Sequence, residues 1–222
     1  MSNIYNSLSH LYNRPLSEMA KELGYSESNI YILQNNFVKL QKEYANVWKA
    51  LISCKHNKDK RTYEEYAQDL VSSWLYEDTL LYYLKKFNFN IRLNGSDKNR
   101  EILNNSKVLT DTDYIISKNN IERNIELINS YTPYWGNTKK IDLRDNKFKK
   151  MENNNVILLC IDIYNKTFYI LDFKFETINA TYINQHRPYG NKPAYQIDIS
   201  RMNSYEFSIK NVAQSLLNIL ER

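Results

Sequence analysis

The sequence predicts an α+β fold in which a helical first part is followed by a mixed β-sheet flanked by helices. Apolar residues recur at helical spacing between positions 15 and 90. From position 113 onward, short runs of β-branched and aromatic residues alternate with turn residues, and residues 209–220 close the chain as an amphipathic helix. This element order is typical of the α+β class. We expect residues 1–60 to form a helical region and residues 61–222 to form the sheet-containing core.

The composition excludes several classes of protein. The chain has 222 residues and a net charge of +5, from 30 basic and 25 acidic residues. It contains no run of eighteen apolar residues, so we expect a cytoplasmic protein that does not enter the membrane. Only four glycines are present and none forms a Gly-rich phosphate loop, which argues against nucleotide hydrolysis and dinucleotide binding.

The first helical part contains a pattern typical of a helix-turn-helix. Within residues 16–33, Ala20, Gly24 and Ile30 occupy the positions of the small residue, the turn residue and the core contact. An ordinary αα-hairpin explains the same pattern equally well. If the second helix enters a major groove, its amides can pair with adenine. The predicted contacts are Asn29, Gln34 and Asn35.

The later elements follow from local patterns. Residues 62–87 read as a long helix, and residues 142–151 as a short basic helix. The stretch 175–193 is polar and is expected to be irregular, before a final short strand at 195–199. Strands are predicted at residues 88–93, 114–117, 124–128, 156–163 and 167–175, with the last two forming a hairpin.

Two carboxylates are expected to meet at one edge of the sheet. Asp113 stands at the mouth of one predicted strand, and Glu126 lies within the next. Neighbouring strands would bring them close enough to share a divalent ion through hard oxygen ligands. Asp111 competes for the first position, and a purely structural role, as a turn residue and an exposed strand residue, explains the pattern nearly as well.

The order of these acids resembles the PD-(D/E)XK nuclease superfamily, in particular blunt-cutting type II restriction endonucleases. Glu77 lies on the long helix, a strand follows, and Asp113 and Glu126 stand on paired strands. Residues 125–148 also look like the block after the catalytic strand in these enzymes. The resemblance implies that Asp113 is the first acid of the motif, that Glu126 is the second, and that Glu77 assists the metal.

The chain departs from the family pattern at one position. The family usually has a lysine two residues after the second acid, where this sequence has Ile128. An aliphatic side chain cannot orient water or stabilise charge, so another group must take that role. Lys139, Lys140 and Lys147 follow, and Lys147 is the first choice.

A rival placement of the motif lies further along the chain. Asp162, Asp172 and Lys174 reproduce the acid, the hairpin and the complete D-x-K pattern. Here the basic helix would precede the site instead of following it. We therefore favour Asp113 and Glu126 and keep the second placement as an alternative.

DNA contacts are expected from a polar segment, residues 183–195, read as a recognition loop. Its amides can pair with adenine, and its arginine with guanine or a narrow minor groove. Lys139 and Lys140 are candidate phosphate contacts. The three histidines, including His186, are too far apart in sequence for a zinc site and are expected at the surface or in loops. The predicted contacts in the segment are Asn184, Gln185, Arg187 and Asn191.

Together these features predict a Mg²⁺-dependent, sequence-specific endonuclease of double-stranded DNA. Mn²⁺ is expected to substitute for Mg²⁺, and Ca²⁺ to be non-productive. The resemblance implies a homodimer on a palindromic, A·T-rich site and a cognate methyltransferase in the cell. Two alternatives remain, a non-catalytic helix-turn-helix regulator and a structure-selective nuclease that resolves DNA junctions.

Overall fold

The computed structural model describes residues 63–95, 98, 111–130, 132–200 and 202–222, together with residues 42 and 45. The predicted helix-turn-helix at 16–33, with Asn29, Gln34 and Asn35, lies outside the described residues. The described part is mixed α+β with a central mixed sheet and several helices, which confirms the predicted class at that level.

The chain divides into two compact units. One comprises Met1–Tyr83 and Asn94–Asp111, and the other comprises Leu84–Leu93 and Thr112–Arg222. The long helix α1, Tyr63–Lys85, belongs mainly to the first unit and matches the predicted helix at 62–87 to within two residues. The second unit holds all nine strands that the structure describes.

A six-stranded sheet forms the centre of the second unit. Its strand order is β1-β2-β3-β5-β6-β9, and every neighbouring pair is antiparallel except β3 and β5, which are parallel. The prediction missed the short strand β9. The strands are β1 (Asn90–Leu93), β2 (Tyr114–Lys118), β3 (Ile121–Ser130), β5 (Ile157–Asp162), β6 (Thr167–Asp172) and β9 (Tyr205–Glu206).

A two-residue turn fixes the register of β2 and β3. Asn119 and Asn120 connect the strands with positive φ of 51° and 65°. Asparagine tolerates this left-handed conformation, which matches the twist of a hairpin. The register pairs Tyr114 with Ile125, so the next position outward brings Asp113 opposite Glu126.

The connection from β3 to β5 carries three further elements. They are the short helix α2 (Tyr134–Thr138), strand β4 (Lys140–Arg144) and helix α3 (Asp145–Asn153). The basic segment 142–151 is therefore helical only from Asp145, because its first three residues complete β4. Helix α3 turns Phe148 and Met151 into the core, which also contains the buried strand β5.

A second sheet, of three strands in the order β4-β8-β7, was not predicted. Strands β7 (Ala180–His186) and β8 (Lys192–Asp198) are joined by a 3₁₀ turn, Arg187–Tyr189. The expectation of an irregular stretch at 175–193 is thus wrong. Most of β7 is exposed, so its sequence lacks the apolar alternation that identifies a half-buried strand. Pro193 lies beside a register irregularity between Ile183 and His186, where a proline does not interrupt the ladder.

The final helix α4, Ile209–Leu220, matches the prediction and begins at Ser208, whose side chain accepts a hydrogen bond from Asn211 N–H. No helix in the described ranges is long and apolar enough to cross a membrane.

Candidate functional site

The hairpin of β2 and β3 brings Asp113 and Glu126 together at one end of the sheet. Asp113 Oδ2 accepts a hydrogen bond of 2.7 Å from Leu127 N–H, which ties the carboxylate to the strand that carries Glu126. Glu126 is only 5% exposed. A buried carboxylate is costly without a partner of opposite charge, so its environment must supply a cation.

Lys147 on α3 supplies that cation. Its Nζ forms an ion pair with Glu126 Oε1. Phe148 and Met151 bury the neighbouring face of α3, which holds the helix against the sheet. A lysine thus reaches Glu126 from a helix, whereas position 128 on the same strand as Glu126 holds an isoleucine. Ile128 itself packs against the apolar core.

The pKa of Lys147 is raised above its usual 10.5 by a balance of opposing effects. Burial is the largest and lowers the pKa, but the negative charges of Glu126 and Asp113 and the hydrogen bond to Glu126 together outweigh it. The side chain is still 41% exposed, so solvent and a substrate can reach it. Lys147 is consequently a permanent ammonium ion at neutral pH.

The donor set suits a small divalent cation. Mg²⁺ is commonly bound through one or two carboxylates, with its remaining positions left to water and substrate phosphate. Asp113 and Glu126 provide such a pair, whereas the described residues contain no cluster of three or more His, Cys, Asp or Glu that would suit zinc or a protein-enclosed calcium ion.

The rival acids do not meet. In the register of β5 and β6, Asp162 pairs with Thr167 and Asp172 pairs with Ile157, so the two acids stand at opposite ends of the hairpin. Five residues of strand separate them by roughly 16 Å.

Both rival acids have structural partners. Asp162 accepts hydrogen bonds from the backbone N–H and the side-chain amide of Asn165, at 3.0 and 2.8 Å, and so caps the hairpin turn. Asp172 is fully buried and forms an ion pair with Arg123 on β3. Lys174 donates its backbone N–H to Asp172 Oδ1 at 3.0 Å.

Asp113, Glu126 and Lys147 together form what we call the carboxylate cluster. A cleft of about 580 Å³ opens beside it. Leu127 and Ile128, the two residues after Glu126, form part of its wall, and so does Lys147. Arg144 adds a second cation. The remaining wall combines aromatic and polar side chains, among them Tyr134, Trp135, Asp142, His186 and Tyr189.

Asp142 on β4 organises the polar side of this cleft. Its Oδ2 accepts a hydrogen bond of 2.9 Å from the Tyr134 hydroxyl and lies 3.2 Å from His186 Nε2. Gln196 donates to Oδ1 at 2.9 Å, and the Tyr189 hydroxyl donates to the Asp142 carbonyl at 2.8 Å. One residue thus fixes the orientation of three rings.

The two tyrosine hydroxyls stay protonated at neutral pH. Burial raises the pKa of Tyr134, and the hydrogen bond to Asp142 raises it further. Burial and the charge of Asp142 likewise raise the pKa of Tyr189, although Arg144 and Lys147 partly oppose this. Both phenols therefore remain hydrogen-bond donors to Asp142.

The sequence did not predict the Asp142 cluster, which comprises Asp142 and the four side chains that contact it, Tyr134, His186, Tyr189 and Gln196. His186 was expected at the surface or in a loop, but it is 5% exposed at the end of β7. The pairing of β4 with β8 brings Asp142 opposite Gln196, and no local pattern signals a contact across that sequence distance. Tyr189 lies in the predicted recognition segment, yet its hydroxyl points to β4.

The other predicted residues belong to several different elements. Glu77 lies on α1 in the first unit, whereas the cluster described above belongs to the second. Asp111 is exposed and also belongs to the first unit. Lys139 and Lys140 are exposed at the start of β4. The predicted DNA contacts of segment 183–195 are all exposed on β7, in the 3₁₀ turn or just after it: Asn184, Gln185, Arg187 and Asn191.

No protein-family model matches this chain, and no curated protein sequence matches it significantly.

Proposed function

We propose that the protein is a divalent-metal-dependent endonuclease that hydrolyses phosphodiester bonds in DNA. The observation that carries the proposal is the cluster of Asp113, Glu126 and Lys147, in which two carboxylates from a hairpin meet one ammonium ion from a helix. This combination is suited to binding a cation and an anionic phosphate at the same place.

Each residue has a distinct role in the proposed reaction. Asp113 and Glu126 would hold Mg²⁺, which when bound would supply an activated water and neutralise charge on the phosphate. Lys147 donates hydrogen bonds to the attacking water or to a phosphate oxygen. Because its pKa is raised, it acts as a fixed positive charge and not as a base.

The order of elements supports the resemblance to the PD-(D/E)XK superfamily. Helix α1, strand β1 and the hairpin of β2 and β3 follow one another as the resemblance requires, with an acid on each hairpin strand or at its mouth. Cutting at a palindromic A·T-rich site, a homodimer and a partner methyltransferase are the finer proposals that rest on this resemblance.

Cleavage of supercoiled plasmid in Mg²⁺, with EDTA as the blank, tests the proposal. We expect wild type to cut, Glu126→Gln to show no detectable cutting, and Lys147→Gln to be slower by roughly 100- to 1000-fold, the range for loss of one donor to a developing charge. Lys147→Arg keeps the charge and should retain more activity than Lys147→Gln. The matched control is Glu122→Gln, which removes an exposed acid of the same strand, 59% exposed and paired with Arg92.

The products separate the candidate functions. Discrete fragments indicate a restriction enzyme, and cutting confined to branched DNA indicates a junction-resolving nuclease. Binding without cutting indicates a regulator and would contradict the proposal, as would unchanged cutting by folded Glu126→Gln and Lys147→Gln. Thermal melting of each variant verifies that it is folded.

A further inference from the structure

The cleft beside the carboxylate cluster has the size of a ligand site. Its volume of about 580 Å³ falls in the range of small-molecule sites, roughly 300 to 1,000 Å³. A cleft of this volume accommodates a ligand about the size of one or two nucleotides. Lys147 belongs both to this cleft and to the proposed metal site, so an occupant of the cleft is next to the reacting phosphate.

The aromatic walls are fixed before any ligand arrives. Tyr134 is 39% exposed, yet its hydroxyl is held by Asp142. The Tyr189 hydroxyl is held by the Asp142 carbonyl, and its ring lies 4.7 Å from the His186 ring, centroid to centroid. Rings that are already immobilised lose little conformational entropy when a planar group stacks on them.

The cleft offers two cations to a nucleic-acid backbone, and the carboxylate of Asp142, which also lines it, already accepts hydrogen bonds from neighbouring side chains. Lys147 and Arg144 both line it, and the Arg144 guanidinium lies 5.6 Å from the Tyr189 ring centroid. Aromatic rings beside cations are the arrangement by which proteins bind single-stranded nucleic acid, since bases stack on the rings and phosphates meet the cations.

We propose that this cleft receives one unstacked nucleotide of the strand being cut, with its base against Tyr134 and Tyr189 and its phosphate toward Arg144 and Lys147. This inference rests on the proposed nuclease function and names its substrate class. An unstacked base costs least in a single strand or beside a mismatch or branch. Among DNA substrates of the proposed nuclease, one with an unpaired nucleotide at the cut position should therefore bind more tightly than the fully paired duplex.

A binding comparison tests the cleft without relying on cleavage. Fluorescein-labelled dT12 and an abasic 12-mer with the same phosphates are titrated with protein in EDTA, and anisotropy gives both dissociation constants. We expect wild type to bind dT12 at least about fivefold more tightly, because stacking of a single base is worth that factor or more. Tyr189→Leu and Tyr134→Leu should bring the ratio close to one.

The matched control is Tyr205→Leu. Tyr205 is 41% exposed, like Tyr134, but it lies on β9 at the opposite edge of the six-stranded sheet from β1 and outside the cleft lining. This variant should keep the wild-type ratio. Circular dichroism verifies that each variant is folded. If a variant is not folded, the test rests on whether wild type binds dT12 more tightly than the abasic strand.

The outcomes distinguish this inference from the proposed function. Equal affinity of wild type for dT12 and the abasic strand, or a ratio unchanged by folded Tyr189→Leu and Tyr134→Leu, overturns the nucleotide cleft even if plasmid is cut. A tyrosine-dependent ratio in a protein that cuts no DNA supports the cleft and overturns the nuclease. Faster cutting of a mismatched than of a perfect duplex supports both.

Discussion

At the residue scale, Lys147 shows how a cation reaches a buried carboxylate from an element other than the strand that carries it. The resemblance places a lysine two residues after Glu126, but that position holds Ile128, which packs on the apolar core. Helix α3 supplies an ammonium ion to the same carboxylate. The sequence offers three candidate lysines after the second acid and Lys147 is the first choice, but no residue pattern separates it from Lys139 and Lys140. The contact of Lys147 with Glu126 depends on how α3 packs against the sheet, and the spacing of residues in the sequence does not show this.

The raised pKa of Lys147 predicts a specific dependence of stability on pH. A cation whose pKa is higher in the folded than in the unfolded chain stabilises the fold fully below its unfolded value near 10.5, and that contribution is lost as pH rises through the folded value. The difference in unfolding free energy between wild type and Lys147→Gln should thus be equal at pH 7 and pH 9 and smaller at pH 11, as measured by urea denaturation. A difference that already shrinks between pH 7 and pH 9 would show that burial dominates and lowers the pKa.

We expect Asp172 to stabilise the fold and not to take part in catalysis. Removing one partner of a buried ion pair leaves the other charge unpaired, so Asp172→Asn should destabilise the fold by about 3 to 5 kcal/mol. Chemical denaturation measures this loss. Replacing both partners, with Asp172→Leu and Arg123→Met, should recover part of it, because no buried charge is then left over.

The same variant separates the two placements of the motif. At a temperature where Asp172→Asn is folded, it should still cut DNA, while Asp113→Asn should not. The reverse result would restore Asp162, Asp172 and Lys174 as the site.

At the scale of elements, the hairpin of β7 and β8 replaces the irregular recognition loop that the sequence indicated. An exposed polar strand has no apolar alternation, so its pattern cannot be distinguished from a loop. The strands β5 and β6, in contrast, were located to within three residues because burial on both faces makes their sequence almost continuously apolar.

We predict that two substitutions in this hairpin affect DNA binding in different ways. Arg187 is exposed in the turn, and if it contacts phosphate, Arg187→Ala should reduce the slope of log affinity against log salt by about one for random duplex. Gln185→Ala should leave that slope unchanged and instead weaken sequence preference. Fluorescence anisotropy over a salt series measures both, with Thr181→Ala, also exposed on β7, as the control. An unchanged slope for Arg187→Ala would remove this residue from the interface.

At the scale of the whole molecule, the α+β class followed from the sequence, but the division into two sheets did not. Strand β4 is short and lies inside a segment read as loop and helix, so only its pairing with β8 reveals the second sheet. The Asp142 cluster depends on that pairing, so it could not be predicted from the sequence for the same reason. The pair of Asp113 and Glu126 could be predicted, because a two-residue hairpin turn makes strand register a local property.

Metal binding should stabilise the whole fold. A ligand that binds the folded state at ten times its dissociation constant adds about 1.4 kcal/mol, which for a chain of this size raises the melting temperature by roughly 3 to 6 °C. We expect this shift with Mg²⁺ and Ca²⁺ in differential scanning fluorimetry, its reversal by EDTA, and its loss in Asp113→Asn and Glu126→Gln. Glu122→Gln should keep the shift. A shift that survives in both site variants would place the metal elsewhere.

The second sheet also connects the β7 and β8 hairpin with the segment that carries Lys147. Strand β4 is hydrogen-bonded along its length to β8, and it ends at Arg144, three residues before Lys147. The β7 and β8 hairpin and the helix that carries Lys147 are therefore both attached to β4, the hairpin by hydrogen bonds and the helix by direct chain connection. Any displacement of the hairpin that shifts β4 would therefore also bear on the start of the helix that brings Lys147 to Glu126.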